Sequence, residues 1–314
     1  MPGPAASAGK PLLVVICGPT AAGKTALALE LGKRFDVEVI SADSRQVYRG
    51  MDIGTAKPTP DELSRLRHHL VDVVDPAEQF TAADFVEQGR WLALDILKRR
   101  RLPFVVGGTG LYIRALTDGL VAVPGGDEAL RRRFHQLEQE QGEGALYRLL
   151  QERDPGMAAR IHPRNQVRII RALEVLELTG ERLSALQAAH AFADRPFATL
   201  KIGLAPDRDE LFRRIDRRAE LMLESGLIEE TRHLLVKGYS PRLKSLQTIG
   251  YRECIQYLQG EISLDETLSL IQRATRHYAK RQLTWFRKDD SIIWVDSCQE
   301  SVRILALIDQ FYAA

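Results

Sequence analysis

The sequence predicts an α/β protein in which helices cover both faces of a parallel sheet and a helical domain is inserted into the chain. Short continuous apolar runs bounded by turn residues are typical of strands that are buried on both faces. These runs alternate with helical periodicity over the first 115 residues, which is the pattern of right-handed βαβ units. A long stretch with helical periodicity alone follows before strand character returns.

The predicted elements divide the chain into a core and an insertion. The alternation of strand and helix patterns ends at a Val-Pro-Gly-Gly segment. From Asp127 to about residue 189 the pattern is helical without a convincing strand. We therefore expect a core formed by residues 1–122 and 196–314 and a helical insertion formed by residues 123–195. Strands are predicted at Leu12–Cys17, 37–40, 70–74, 104–106, 200–204 and 292–295, and core helices at 26–35 and 82–99.

The composition excludes several classes of protein. The chain has 314 residues, and 44 Lys and Arg against 42 Asp and Glu give a net charge of +2, so any polyanion must be bound by local clusters of charge. Cys17, Cys254 and Cys298 lie far apart without metal or disulfide spacing, which favours the reducing cytoplasm. The longest early apolar run has six residues, too short for a signal core or a membrane span, so no membrane partner is expected.

The strongest local signal is a complete G-x-x-x-x-G-K-[ST] motif between a predicted strand and a predicted helix. Glycines allow backbone amides to turn toward phosphate oxygens, and the following helix adds its positive end. Lys24 supplies a cation, and the hydroxyl of Thr25 is a ligand for Mg²⁺. The alternative is a tight turn without a ligand. The motif predicts a bound pyrophosphate and its metal, and by itself it favours a kinase or nucleotide hydrolase; its residues are Gly18, Pro19, Thr20, Ala21, Ala22, Gly23, Lys24 and Thr25.

Two further segments are expected at the same edge of the sheet. Asp43 follows the second predicted strand, and Thr109 follows the Gly107-Gly108 pair that ends the 104–106 strand. Ligands of open α/β sheets bind beyond the carboxyl ends of the strands. A carboxylate there can bind Mg²⁺ through water or accept a proton from an attacking group. The alternative roles are a turn aspartate and a helix-capping threonine.

A first arginine stripe lies in the predicted insertion. Pro163 suits the first turn of a helix and Gly180 suits its end. Arg164, Arg168 and Arg171 then share one face, roughly opposite to the apolar residues. A solvated face and an anionic partner are both compatible with this stripe.

A second basic region lies near the C-terminus. Residues 271–288 contain six Lys and Arg and no acidic residue, with aromatic residues interleaved. Four arginines of a preceding helical segment add charge. The sequence does not decide which of these cations approach phosphate: Arg213, Arg214, Arg217, Arg218, Arg273, Arg276, Lys280, Arg281, Arg287 and Lys288.

Taken together, these motifs closely resemble the bacterial tRNA dimethylallyltransferase family. The resemblance covers nearly the whole chain in order and is far more specific than the phosphate loop alone. The segments that support it are 18–25, 41–44, 48–57, 82–85, 107–109, 171–175 and 279–286.

The resemblance implies a nucleotide-kinase-like P-loop core and an insertion that grips the tRNA anticodon stem-loop. It implies transfer of a dimethylallyl group from dimethylallyl diphosphate to the N6 amine of the adenosine 3′ of the anticodon, in tRNAs reading codons that begin with U. The target base is flipped out of its stack, as chemistry on a base requires. Mg²⁺ is the expected cofactor, and we expect a monomer.

The resemblance also assigns roles to residues. It places the diphosphate on the loop from Gly18 to Thr25, with Lys24 and Thr25 in the catalytic centre and Thr25 as the Mg²⁺ ligand. Asp43 corresponds to the general base, and Arg218, with a less certain alignment, to an arginine near the reacting atoms. The tRNA-contacting residues are expected to be Asp43, Ser44, Arg45, Gln46, Thr109, Gln166, Val167, Arg168, Ile169, Ile170 and Arg171.

Three other functions remain open at this point. A small-molecule or nucleotide kinase would use the same phosphate loop with ATP. An adenylate prenyltransferase would modify free AMP, ADP or ATP, but it has no need of an anticodon-gripping insertion. A non-catalytic RNA-binding ATPase would have no need of Asp43.

The sequence lacks the D-D-x-x-D pair of isoprenoid synthases, because Asp289-Asp290 is followed by Ser291, Ile292 and Ile293.

Overall fold

The computed structural model describes residues 9–190, 194–296 and 300–313, and Cys298 lies outside these ranges. The described residues form a sheet of six parallel strands in the order β3-β2-β4-β1-β5-β6. The predicted fold class is confirmed. The strands are β1 (Leu12–Cys17), β2 (Val37–Ala42), β3 (His68–His69), β4 (Leu102–Gly107), β5 (Ala198–Leu204) and β6 (Ile292–Val295).

The prediction of a strand at 70–74 is wrong. The third strand has only two residues, His68 and His69, and Val74 forms an isolated bridge with Tyr48. Leu70 and Asp72 have φ values of 60° and 57°, so the backbone leaves the extended conformation at both positions. The apolar residues of this segment are packing residues of a loop.

Helices lie on both faces of the sheet, and none in the described residues is both long and apolar enough to cross a membrane. In chain order the helices are α1 (Lys24–Gly32), α2 (Pro60–Arg65), α3 (Ala82–Lys98), α4 (Gly110–Asp118), α5 (Glu128–Gln141), α6 (Ala145–Arg153), α7 (Pro155–Ala158), α8 (Gln166–Thr179), α9 (Leu183–His190), α10 (Arg208–Glu224), α11 (Leu227–Val236), α12 (Tyr251–Leu258), α13 (Leu264–Phe286) and α14 (Ser301–Ala313).

The alternation of side chains along β1 explains this layering. Leu13, Val15 and Cys17 pack with residues of α3 and α4 on one face. Val14 and Ile16 pack with residues of α1 and α14 on the other. A strand buried on both faces reads as a continuous apolar run, which is why this run could be recognised in the sequence.

Strand β1 lies at the topological switch point of the sheet. It pairs with β4 on one side and with β5 on the other, whereas β2, the next strand in the chain, lies beyond β4. Parallel sheets form a ligand crevice beyond the carboxyl ends of the strands at such a point. The loop that follows β1 is therefore placed at the expected crevice.

The chain divides into two compact units. One comprises Met1–Thr117 and Pro196–Ala314 and contains the sheet; the other is Asp118–Arg195. The described part of the second unit contains α5 to α9 and no strand, with a core of its own. Glu174 is buried in this unit and binds Arg131, Arg171 and the amide of Asp127.

Helix α8 begins later than the sequence pattern predicts. Its N-cap is Asn165, whose side chain accepts a hydrogen bond from the amide of Arg168 at 3.3 Å, so Pro163 and Arg164 precede the helix. An asparagine cap and a first-turn proline are competing start signals, and here the cap decides the start. Gly180 ends the helix as predicted, with φ 73°.

Glu38 is a fully buried carboxylate near the start of β2. It forms ion pairs with Arg99 and Arg101, and His69 Nε2 lies 2.6 Å from its Oε2. The hydrogen bond from Arg99 is the largest cause that holds the pKa of Glu38 well below its usual range. Burial opposes this shift, and smaller contributions from the hydrogen bonds of His69 and Arg101 support it. The carboxylate therefore stabilises the folded state only while it is ionised.

Replacing Glu38 by Gln should destabilise the protein at pH 7 by about 3 kcal/mol, the lower end for removing one partner of a buried ion pair, because both arginines are partly exposed. The pKa of Glu38 is depressed in the folded state, so this stability is present above the unfolded pKa of about 4.3 and is lost as the pH falls below it. Urea unfolding at pH 7 and pH 3.5 measures both effects. Glu87→Gln on the exposed face of α3 is the control; equal effects of the two variants would contradict the prediction.

Candidate active site

The loop after β1 has the backbone of an anion cradle. Gly18, Ala21 and Gly23 have φ values of 143°, 63° and 92°. A Cβ at Gly18 would lie 2.5 Å from the carbonyl oxygen of Leu204 on β5, so only glycine fits there. Helix α1 begins at Lys24 without a side-chain cap, two residues before the predicted start, and its first amides have no intrahelical acceptor. Both features leave N–H groups for phosphate oxygens.

The ammonium group of Lys24 folds back over this loop. Nζ donates to the carbonyl oxygens of Gly18 at 3.1 Å and Pro19 at 2.6 Å. Burial lowers the pKa of Lys24 to about 8, the negative charge of Asp43 opposes this shift, and the positive charge of Arg218 adds to it. Arg218 Nη1 lies 3.5 Å from Thr20 Oγ1 of this loop, and Asp43 follows β2 at the same edge of the sheet.

Asp43 lies directly after β2. Its Oδ1 accepts hydrogen bonds from the amides of Arg45 at 2.8 Å and Gln46 at 3.4 Å. No described residue donates a hydrogen bond to the other oxygen, Oδ2. Through Oδ1, Asp43 stabilises a turn, which is the alternative role considered from the sequence. Its second oxygen, Oδ2, is available to a ligand.

Thr109 joins the ends of β2 and β4. Its amide donates to Ala42 O at 3.1 Å, and its Oγ1 accepts from the amide of Ser44 at 3.1 Å. Burial and the charge of Asp43 raise the pKa of Tyr278 of α13 to about 12. The Thr109 hydroxyl therefore positions the chain next to Asp43.

Gln46, expected among the RNA-contacting residues, binds backbone in this structure. Its Nε2 donates to Ala56 O at 2.9 Å, and its Oε1 accepts from Ser41 Oγ at 3.0 Å. Arg45 is exposed beside it. Through its backbone N–H and its side-chain amide, Gln46 thus connects the Asp43 turn to the segment at 55–56.

Residues 48–57 are held by two charged residues, the half-buried Glu230 and Lys57, whose side chain is buried. Glu230 of α11 accepts from the amides of Asp52 at 3.0 Å and Ile53 at 2.9 Å, and from the hydroxyl of Tyr251 at 2.6 Å. The ammonium group of Lys57 lies 2.6 Å from Asp52 Oδ1 and also binds Asp72 and Tyr48 O.

Gly54 lies against the ring of Tyr251, where a Cβ would overlap it. The role of Glu230 was not predicted, because a glutamate on an amphipathic helix has the pattern of a solvated residue.

The arginines of α10 differ in their partners. Arg213 and Arg214 pair with Glu210, and Arg217 pairs with Glu220. Arg218 points instead to the phosphate loop, where its Nη1 lies 3.5 Å from Thr20 Oγ1. Burial lowers the pKa of Arg218. The structure therefore distinguishes one arginine of this group from its neighbours, which the periodicity alone could not do.

The predicted tRNA-contacting residues of the second unit fall into three groups. Gln166, Val167 and Arg168 are exposed on the first turn of α8. Ile169 and Ile170 are buried in the core of this unit, so their side chains are not available to RNA. Arg171 binds Glu174 Oε2 at 2.5 Å and Pro124 O at 2.6 Å. Only the partly exposed part of its side chain remains available to RNA.

Thr25 is the predicted metal ligand. No group of three or more His, Cys, Asp or Glu that could hold a metal occurs among the described residues. A metal at this loop would therefore take the Thr25 hydroxyl, the diphosphate oxygens and water, with Asp43 reached through water. This sparse oxygen donor set fits Mg²⁺, which keeps several waters and binds with substrate phosphates. The Mg²⁺ site stays a prediction.

Residues 46–289 match the family model described as IPP transferase. The chain belongs to the IPP transferase family. The resemblance inferred from the sequence motifs is thereby confirmed. The phosphate loop and Asp43 lie outside the matched range, and their roles stay predictions.

Named relatives of the IPP transferase family match the chain over nearly its full length. The tRNA dimethylallyltransferase 1 of Syntrophotalea carbinolica is 57% identical over 306 residues, 97% of this chain and 98% of its own. The full-length tRNA isopentenylpyrophosphate transferase of Bacillus halodurans is 42% identical, with a TM-score of 0.70 and 97% of both chains covered. A eukaryotic dimethylallyltransferase acting on tRNA is 28% identical, with a TM-score of 0.81, covering 96% of this chain and 79% of that one.

Proposed function

We propose that this chain transfers a dimethylallyl group from dimethylallyl diphosphate to the N6 amine of the adenosine 3′ of the anticodon, in tRNAs that read codons beginning with U. The products are N6-isopentenyladenosine and diphosphate. The observation that carries the proposal is that the phosphate loop and Asp43, with one unbonded carboxylate oxygen, follow parallel strands of one sheet and emerge at the same edge. The names of the relatives support the same reaction.

The phosphate loop promotes departure of the diphosphate. As the C1–O bond of the allylic donor breaks, its electron pair passes to the diphosphate oxygen. Lys24, the amides at the start of α1 and Arg218 stabilise this charge where it develops. The chemistry that Mg²⁺ supplies when bound is further neutralisation of the diphosphate, with the Thr25 hydroxyl as its protein ligand.

Asp43 acts on the acceptor. The exocyclic amine of adenine is a poor nucleophile because its lone pair is delocalised into the ring. Asp43 Oδ2 accepts a hydrogen bond from this amine, orients it toward C1, and takes its proton as the C1–N6 bond forms. The hydrogen bonds from Arg45 and Gln46 to Oδ1 hold the carboxylate while it does so.

The phosphate loop replaces the aspartate-rich metal clamp of other prenyl-transferring enzymes. Asp289, the first residue of the only nearby Asp-Asp pair, binds Lys201 at 2.8 Å and also Ser291. Both oxygens of this partly exposed carboxylate therefore have protein partners. A loop that binds diphosphate through amides and one ammonium group makes such a clamp unnecessary.

The proposed reaction is tested by incubating the pure protein with unmodified tRNA and either labelled dimethylallyl diphosphate or γ-labelled ATP. We expect label from the prenyl donor in a tRNA nucleoside with the mass of isopentenyladenosine, and none from ATP. Parallel incubations with AMP, ADP and ATP as acceptors separate tRNA from free-nucleotide prenylation. Phosphoryl transfer, or label found only in free nucleotides, would replace the proposal by one of the alternatives.

Replacing Asp43 by Asn should lower kcat by about 10²- to 10⁴-fold, the usual contribution of a positioned general base, while the Kd of tRNA changes little. The amide retains the shape of the side chain but cannot take the proton. Single-turnover transfer rates and tRNA binding measure the two effects. Asp61→Asn, at an exposed position of α2, serves as the control; near-normal turnover of D43N would remove Asp43 from this role.

Replacing Arg164 and Arg168 together by Gln should weaken tRNA binding and flatten its dependence on salt. Each lost phosphate contact reduces the slope of log K against log salt by about 0.7 to 0.9. The matched control is the pair Arg213→Gln and Arg217→Gln, whose guanidinium groups are already neutralised by glutamates. Equal slopes for both double variants would indicate that the face containing Arg164 and Arg168 is merely solvated.

A further inference from the structure

The side chain of Gln282 joins two loops of the candidate active site. It extends from α13 and is only 6% exposed. Its Oε1 accepts a hydrogen bond from the amide of Thr20 at 2.9 Å, and its Nε2 donates to the carbonyl oxygen of Gly108 at 2.9 Å. One amide thus connects the phosphate loop after β1 to the glycine turn after β4.

The fit around this amide is close. A Cβ on Gly108 would overlap Gln282 Nε2, so the glycine is required for the side chain to reach the turn. A carboxamide offers one donor and one acceptor in a fixed geometry, which is what the Gly108 carbonyl and the Thr20 amide require. An ionised carboxylate could satisfy Thr20 only, and an apolar side chain could satisfy neither.

Gln282 belongs to a continuous set of contacts that ends at Asp43. Gly108, whose carbonyl oxygen accepts the hydrogen bond from Gln282, is followed directly by Thr109. Thr109 accepts the hydrogen bond of the Ser44 amide, and Ser44 is the residue after Asp43. Gln282 of α13 therefore binds the loop assigned to the diphosphate directly, and it reaches the turn that presents the carboxylate through Gly108 and Thr109.

We propose that Gln282 is a positioning residue that sets the separation between the departing diphosphate and Asp43. The proposal rests on the function proposed above and extends it to a residue that contacts neither reactant. Gln282 acts through Thr20 and Gly108, so its loss should slow the transfer step without removing the groups that bind either substrate. A small misplacement of reacting groups lowers rates by about 10²-fold.

The test compares Gln282→Met and Gln282→Asn with Gln272→Met on the same helix. Methionine has nearly the shape of glutamine but no hydrogen-bonding amide, and asparagine keeps the amide but is too short to span both loops. Gln272 also donates to a backbone carbonyl, that of Asp216 at 3.4 Å, away from the phosphate loop, so it controls for the loss of an amide contact from α13.

We expect both Gln282 variants to lower the single-turnover transfer rate by about 10²-fold. The Kd values of tRNA and of inorganic diphosphate should stay within threefold of wild type, and Q272M should retain the wild-type rate. Amide hydrogen exchange at Thr20 should become faster in Q282M and Q282N only. Thermal melting of all three variants identifies any loss of rate that is caused by unfolding.

Each other outcome has a definite meaning. If the wild-type protein transfers no prenyl group, the proposed function fails and the positioning role fails with it. If the wild type is active and either folded Gln282 variant keeps the wild-type rate, only the positioning role is overturned. It is also overturned if the loss lies in the Kd of diphosphate or tRNA rather than in the transfer rate, because that result would make Gln282 a binding residue.

Discussion

Strands β2, β4 and β1 lie side by side and run in the same direction, so the three segments that follow them emerge at one edge of the sheet. The phosphate loop, Asp43 and Thr109 are far apart in the sequence, and this shared edge brings them together. Close strand spacing also requires glycine at two of these junctions. Gly18 lies against Leu204, and a Cβ at Gly107 would overlap the backbone of Ala42. The geometry of the site is therefore inherited from the pairing of the strands.

Charged side chains in the sheet unit serve two different purposes. Glu230 and Lys57 are satisfied by several backbone and side-chain partners, and they immobilise the segment that follows Asp43. Lys24 and Asp43 are only partly satisfied by protein groups. Buried polar groups normally find full sets of partners, so incompletely paired charges at one edge of the sheet indicate a site for a ligand.

The sequence was most informative where one physical cause dominates. Strands buried on both faces and the strand–loop–helix context of the glycine-lysine motif were predicted correctly, because continuous apolar runs and such a motif each have few explanations. The segment at 70–74 was wrong because its apolar residues pack from a loop with left-handed backbone at Leu70 and Asp72. Periodicity identified basic faces but not their partners. Glu174, which neutralises Arg171, lies between apolar residues in the sequence, so the pattern gave no sign of this ion pair. Gln282 could not be found because its partners are backbone atoms more than 170 residues away.

The contact between Gly54 and Tyr251 limits how the chain can diverge. Any larger residue at position 54 would collide with the aromatic ring, so it can be accepted only after the ring has become smaller. A smaller residue at position 251 would in turn deprive Glu230 of the phenolic hydroxyl that completes its set of donors. Lineages that descend from this protein should therefore change these positions together or keep both, and the pair would be recognisable as a correlated column in a future alignment.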